Sequence, residues 1–248
     1  MAAIRTEWVT LPVADGTSMR AYVARPADSA PPAGLLVFQE AFGVNAHIRD
    51  VTERFAHLGH IAIAPELFHR TAPGFEGAYD NFESVFPHVR ALENPKMEAD
   101  VRAAYAWLAA DSQAAGQPIA CIGFCMGGRV TFLTNAILPI KAAVSFYGGG
   151  IAPNPHAPPA LSGGLLDRAG DLHAPQLLFW GGLDKHIGPE QTRAVVDALR
   201  SAGKPFVNVE FSEADHGFFC DVRRSYHAES AREAWALTLA FLKDHLGN

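Results

Sequence analysis

The sequence is short of cysteine, of charge and of long apolar runs, and each shortage removes a class of protein. Cysteine occurs only at positions 121, 125 and 220, an odd set without zinc-ligand spacing, which argues against a disulfide framework or a structural zinc site. No metal and no cofactor are expected. Charged residues make up 19% of the 248, the formal net charge is −6, and there is no run of lysine and arginine; nucleic acid and anionic membranes are therefore not expected partners. No apolar stretch approaches the roughly 18 residues that span a bilayer, and MAAIRTEWVTLPVADG has no continuous apolar region of the exporting kind. The reading is of a cytoplasmic protein with reduced thiols and a small-molecule ligand; composition leaves monomer and dimer open.

What is present suits one large domain over residues 1–248: apolar residues reach 49%, with 22 glycines and 17 prolines for turns. Short apolar runs alternate with longer amphipathic ones, the pattern of an α/β fold with a mostly parallel central sheet and helices on both faces. The strands are read at 34–39, 60–65, 118–123, 141–147, 175–181 and 207–212, after a hairpin of IRTEWVTLP and SMRAYVARP. Helices are read at 46–58, 96–110, 126–136, 189–202 and 228–246, with Pro189 suited to a helix start. RPADSAPPAG and GGGIAPNPHAPPALSGG read as loops, and the irregular regions 66–94 and 148–174 are long enough to suggest active-site cover.

Within this pattern, Gly123-Phe124-Cys125-Met126-Gly127 follows one strand and opens a helix, the context of a nucleophile elbow. The flanking glycines suit a turn whose neighbours approach closely. A helix N-terminus also favours a thiolate at Cys125. A buried packing cysteine is the alternative, and the candidate partners weigh against it. Asp184 lies just beyond the strand at 175–181 and His216 just beyond the strand at 207–212, giving the order nucleophile, acid, base. In such a set His216 moves the thiol proton and Asp184 fixes the imidazole. The Met126 N–H, and one from the loop beginning Glu40-Ala41-Phe42-Gly43, are candidate oxyanion donors.

QEAFGVN (39–45), APELF (64–68), GFCMGG (123–128), YGG (147–149), GGLD (181–184) and DHGF (215–218) together resemble the dienelactone hydrolase family, the carboxymethylenebutenolidase-like branch of the α/β-hydrolases. The resemblance runs over nearly the whole chain. It implies an α/β-hydrolase fold, hydrolysis of small carboxylic esters or lactones through an acyl-enzyme, and a Cys125, His216, Asp184 triad. It further implies an oxyanion hole from Ala41 and Met126, a Glu40 that switches the thiol towards thiolate, and a pocket tyrosine at Tyr147.

The sequence departs from the family where a substrate carboxylate would be held. Cys220 stands where the resemblance implies an arginine, and residues 71–89 contain no lysine or arginine but do contain Glu76, Asp80 and Glu83. Arg70, Arg223 and Arg224 are the candidate replacements, Arg223 being the one assigned to substrate. Three other readings stay open: a non-catalytic small-molecule binder on a hydrolase scaffold, a redox-sensing Cys125, and metal-assisted hydrolysis through Asp184, His186 and Asp215, whose spacing does not favour a metal.

Overall fold

The computed structural model describes residues 3–27, 33–155 and 157–247. The proline-rich loop read over RPADSAPPAG therefore lies partly outside the described residues, as does His156 in the second loop. The chain divides into two compact units, Met1–Cys121 and Ile122–Asn248. No helix among the described residues is long and apolar enough to cross a membrane.

In the first unit the expected hairpin forms from β1 (Ile4–Pro12) and β2 (Ser18–Pro26), in register from Ile4 opposite Pro26 to Pro12 opposite Ser18. β2 runs antiparallel to β4 (Ile61–Pro65), which is parallel to β3 (Gly34–Phe38). A parallel pair needs a crossover, here α1 (Ala46–His57). Asn45 caps α1, its Oδ1 accepting the Ile48 N–H at 3.3 Å. α1 and the later helix α3 (Asn94–Ala110) both pack on this sheet. β3 and β4 are buried at every position, as their unbroken apolar runs require of strands covered on both faces.

The second unit takes the end of β5 (Ile119–Phe124) and continues through β6 (Ala143–Phe146), β7 (Gln176–Gly181) and β8 (Phe206–Phe211). β6, β7 and β8 are parallel neighbours. α4 (Met126–Ile137) packs on β6, while α6 (Pro189–Ser201) supplies the crossover from β7 to β8, with Pro189 in its first turn. α7 (Ala228–Leu246) packs on β7 and ends at Gly247 in the left-handed region, the usual helix stop.

Both long regions read as irregular contain short elements. Residues 66–94 include a 3-10 turn, Phe82–Ser84, and α2 (Phe86–Arg90); residues 148–174 include α5 (Pro159–Ser162) and a 3-10 turn, Leu166–Asp171. Elements this short do not complete the repeats on which a periodic pattern depends.

Candidate active site

The strand β5 ends at Phe124, and the next residue turns sharply into α4. Cys125 has φ 54 and ψ −117, a conformation that a side chain normally avoids and that functional turns hold under strain. Two backbone bonds fix it: the Cys125 N–H donates to the Phe146 carbonyl at 3.0 Å, and its own carbonyl accepts the Gly128 N–H at 3.0 Å. A close approach accompanies the turn at Gly128. A Cβ there would lie 2.6 Å from Gly148 Cα, 2.7 Å from Ser145 Oγ and 2.9 Å from the Phe146 oxygen.

Asp184 and His216 come together from separate loops. His216 Nδ1 donates to Asp184 Oδ2 at 2.7 Å, and Asp184 Oδ1 accepts the N–H groups of His186 at 2.7 Å and Ile187 at 3.1 Å. A carboxylate can only accept, so Nδ1 carries the proton and Nε2 is left for Cys125. The loops abut because Gly181, the last residue of β7, is followed by Gly182. A Cβ on Gly181 would meet the Ala214 carbonyl at 2.5 Å, and one on Gly182 would meet Ser212 Cα at 2.8 Å.

The charges of the group reinforce one another. Burial works against the His216 imidazolium, but the negative charge of Cys125 and the hydrogen bonds of Asp184 and Cys125 outweigh it and push its pKa up to about 10. For Asp184, burial pushes the carboxyl up, yet the hydrogen bond and charge of His216 and the two backbone N–H groups hold it below the ordinary value.

Tyr147 is buried, with its ring centroid 5.1 Å from that of His216. It has φ 38, and its N–H donates to the Phe179 carbonyl at 2.7 Å. Cys125 and Tyr147 are the only non-glycine residues with positive φ among those described. Met126 opens α4, where first-turn N–H groups lack an acceptor within the helix. The sequence reading did not place His186 against the base; its ring packs edge-on to His216 at 5.3 Å, and its position two residues beyond Asp184 was the available signal.

In the first unit Glu40 and Ala41 follow β3, Glu40 fully buried and Ala41 in a half-buried turn. Gln39 holds this stretch, accepting the Leu67 N–H at 3.0 Å and donating to the Glu40 carbonyl at 3.3 Å. The following residues are braced by the segment after β4. Phe42 packs on Tyr79 and Phe82, its carbonyl accepts the Gly77 N–H at 3.0 Å, and Asn45 Nδ2 donates to the Tyr79 hydroxyl at 2.9 Å.

Two charge expectations change. Arg70 is not an anion clamp, because its guanidinium is committed to Asp100, through bonds of 2.8 Å each, and to Asp15 at 2.7 Å. Glu76 is paired with Arg49 at 2.6 Å, so it does not stand as a lone negative charge. In the second unit the Arg223 side chain lies over Gly217, beside His216, where a Cβ would collide with the guanidinium; Arg224 is exposed.

The dienelactone hydrolase family profile matches residues 19–246. A Synechocystis protein named "Putative carboxymethylenebutenolidase" is 35% identical over 234 residues, covering 94% of each chain. An Escherichia coli K12 protein of the same name is 36% identical over 253 residues, covering 99% of this chain and 89% of its own. Among solved structures, a Klebsiella pneumoniae protein described as "Putative Dienelactone Hydrolase" superposes with a TM-score of 0.82 at 36% identity, over 96% of this chain and 98% of that one. With that profile, those relatives and an α/β-hydrolase fold, the chain belongs to the dienelactone hydrolase family and is a carboxylic ester or lactone hydrolase.

Proposed function

We propose that the enzyme cleaves small esters or lactones through a thioester formed on Cys125. The observation that carries this is the His216–Asp184 bond of 2.7 Å in a group where His216 also hydrogen-bonds Cys125, the residue in the strained elbow. Cys125, as thiolate, adds through sulfur to the substrate carbonyl carbon. The carbonyl oxygen becomes an oxyanion, which the Met126 and Ala41 N–H groups receive. The oxyanion collapses to a thioester, the carbon–oxygen bond to the leaving alkoxide breaks, and the His216 imidazolium gives that alkoxide its proton. Neutral His216 then takes a proton from water, the resulting hydroxide opens the thioester, and the acid product leaves with the Cys125–His216 pair restored. Asp184 holds the tautomer throughout.

The remaining roles belong to the same proposal. Glu40 acts on the switch of Cys125 from thiol to thiolate, Tyr147 lines the pocket and Arg223 contacts the substrate. Their support is the family motif for Glu40, the packing of Tyr147 on His216 and the position of Arg223 over Gly217. The family match runs through both compact units, which favours residues 1–248 acting as one catalytic domain. None of Cys121, Cys125 and Cys220 is in a disulfide, in keeping with a reducing compartment such as the cytoplasm.

The test is Cys125→Ala with p-nitrophenyl acetate, together with mass spectrometry of quenched wild-type enzyme. Loss of turnover in the variant and an acyl adduct on Cys125 are expected. Wild-type turnover in the variant would overturn the nucleophile, and saturable binding without an adduct would favour the non-catalytic binder.

A further inference from the structure

Arg129 lies one helical turn beyond Cys125 and has no part in the proposed chemistry. It is among the largest fully buried side chains, with 2% relative exposure. Its Nε donates to the Gly150 carbonyl at 3.0 Å, and its aliphatic stem packs so closely on Gly150 that a Cβ there would stand 3.2 Å from Arg129 Cδ. Nη1 and Nη2 are both sealed from solvent and have no hydrogen-bond partner among the described residues. Four N–H donors and a full positive charge therefore end inside the protein without a counterpart.

Among the described residues no acidic side chain supplies one. α4 contains no aspartate or glutamate. In the 3-10 turn Leu166–Asp171, which packs against α4, Asp167 is exposed and Asp171 pairs with Arg168 at 2.9 Å. Burial alone pushes the Arg129 pKa down, to about 10, with no neighbouring charge opposing it. The guanidinium thus stays charged at neutral pH. Water can satisfy its donors but cannot neutralise its charge in a low-dielectric interior, where an isolated ion is far costlier than an isolated polar group. A planar fork of N–H groups is, moreover, the geometry that accepts a carboxylate or a halide.

We propose that Arg129 anchors a buried site for a small monovalent anion, a halide or a short carboxylate, beneath the loop that begins at Gly148. The anion neutralises the guanidinium while Nε holds the Gly150 carbonyl, so that ligand and helix together fasten the loop following Tyr147. This site does not depend on the proposed triad.

Two measurements test it. Crystals of the wild-type protein grown in bromide are expected to show an anomalous peak within hydrogen-bonding distance of Nη1 or Nη2, and crystals grown in formate a planar anion on the same atoms. Water alone at both nitrogens in both crystals overturns the proposal. In solution, chloride and formate titrations are compared with gluconate, which is too large for a sealed site. The melting temperature of the wild type is expected to rise saturably, by roughly 5 to 10 °C at one hundred times the dissociation constant. Arg129→Met is expected to lose that dependence, and Arg129→Lys, which keeps the charge but not the fork, to retain it with weaker affinity. A rise in Arg129→Met equal to that in the wild type overturns the site.

Discussion

His216 Nδ1 stands 2.7 Å from Asp184 Oδ2, and the other oxygen of the same carboxylate is held by two backbone N–H groups. Asp184 thus has no freedom to turn away, and the imidazole it holds is fixed in one tautomer.

Asp184→Asn should therefore leave the loop folded but misorient the proton on His216. The expected loss in kcat is about 100- to 10,000-fold. Ester hydrolysis measured beside thermal unfolding checks it; a variant with near-wild-type kcat would show that the pair is structural.

Cys125→Ala removes the largest influence that raises the His216 pKa, the negative charge of the thiolate. The titration of His216, followed by NMR of its ring carbons, is expected to move to lower pH. An unmoved titration would mean that Asp184 alone governs it.

The pH dependence of stability has a definite sign. His216 is raised from 6.5 to about 10 in the folded protein, so its contribution is complete below pH 6.5 and is lost as pH rises towards 10. Asp184 is lowered from 3.8, so its contribution is present above that pH and is lost on acidification below it. Urea midpoints should fall on the alkaline side in the wild type and fall less in His216→Gln. Identical alkaline limbs would count against the shift.

Gly128→Ala places a Cβ 2.6 Å from the Gly148 Cα. Overpacking of backbone on backbone should destabilise the protein by about 1–3 kcal/mol and lower kcat, because α4 must shift at the turn that carries Cys125. Calorimetry and turnover together decide the matter.

Asn45→Ala removes the cap of α1 and the bond to the Tyr79 hydroxyl. A loss of about 1–2 kcal/mol is expected. Hydrogen exchange at Ile48 and Gly77 should quicken with it, and unchanged protection at Gly77 would show that the segment is held without the Asn45–Tyr79 bond.

The elements that sequence disclosed best are those with complete repeats or clear punctuation. α7 has the ends expected of it because nineteen residues present several turns. α3 begins earlier than expected, at Asn94, because Pro95 fits a helix start that its neighbours do not advertise. β6 ends at Phe146 and not at Tyr147, whose positive φ takes it out of the strand; no residue other than glycine announces such an angle. The order of Cys125, Asp184 and His216 was legible, since each follows a strand, and their joint geometry supplied the tautomer and the charge coupling. At the elbow, Gly128 also leaves no room for a Cβ, since one there would meet the Gly148 backbone. Arg70 looked available because its partners, Asp100 and Asp15, are 30 and 55 residues away in sequence. The isolation of Arg129 has no sequence signature at all, being a property of what surrounds it.

The conformation at Cys125 has a last consequence. Its φ of 54 is set by Cα, Cβ and the two backbone bonds to Phe146 and Gly128, and none of these involves the sulfur. The turn is a socket indifferent to the heteroatom mounted in it, so cysteine and serine can be exchanged there by a single codon step without rebuilding the fold. Under the proposed mechanism, the attacking atom can therefore change while the backbone that presents it stays fixed.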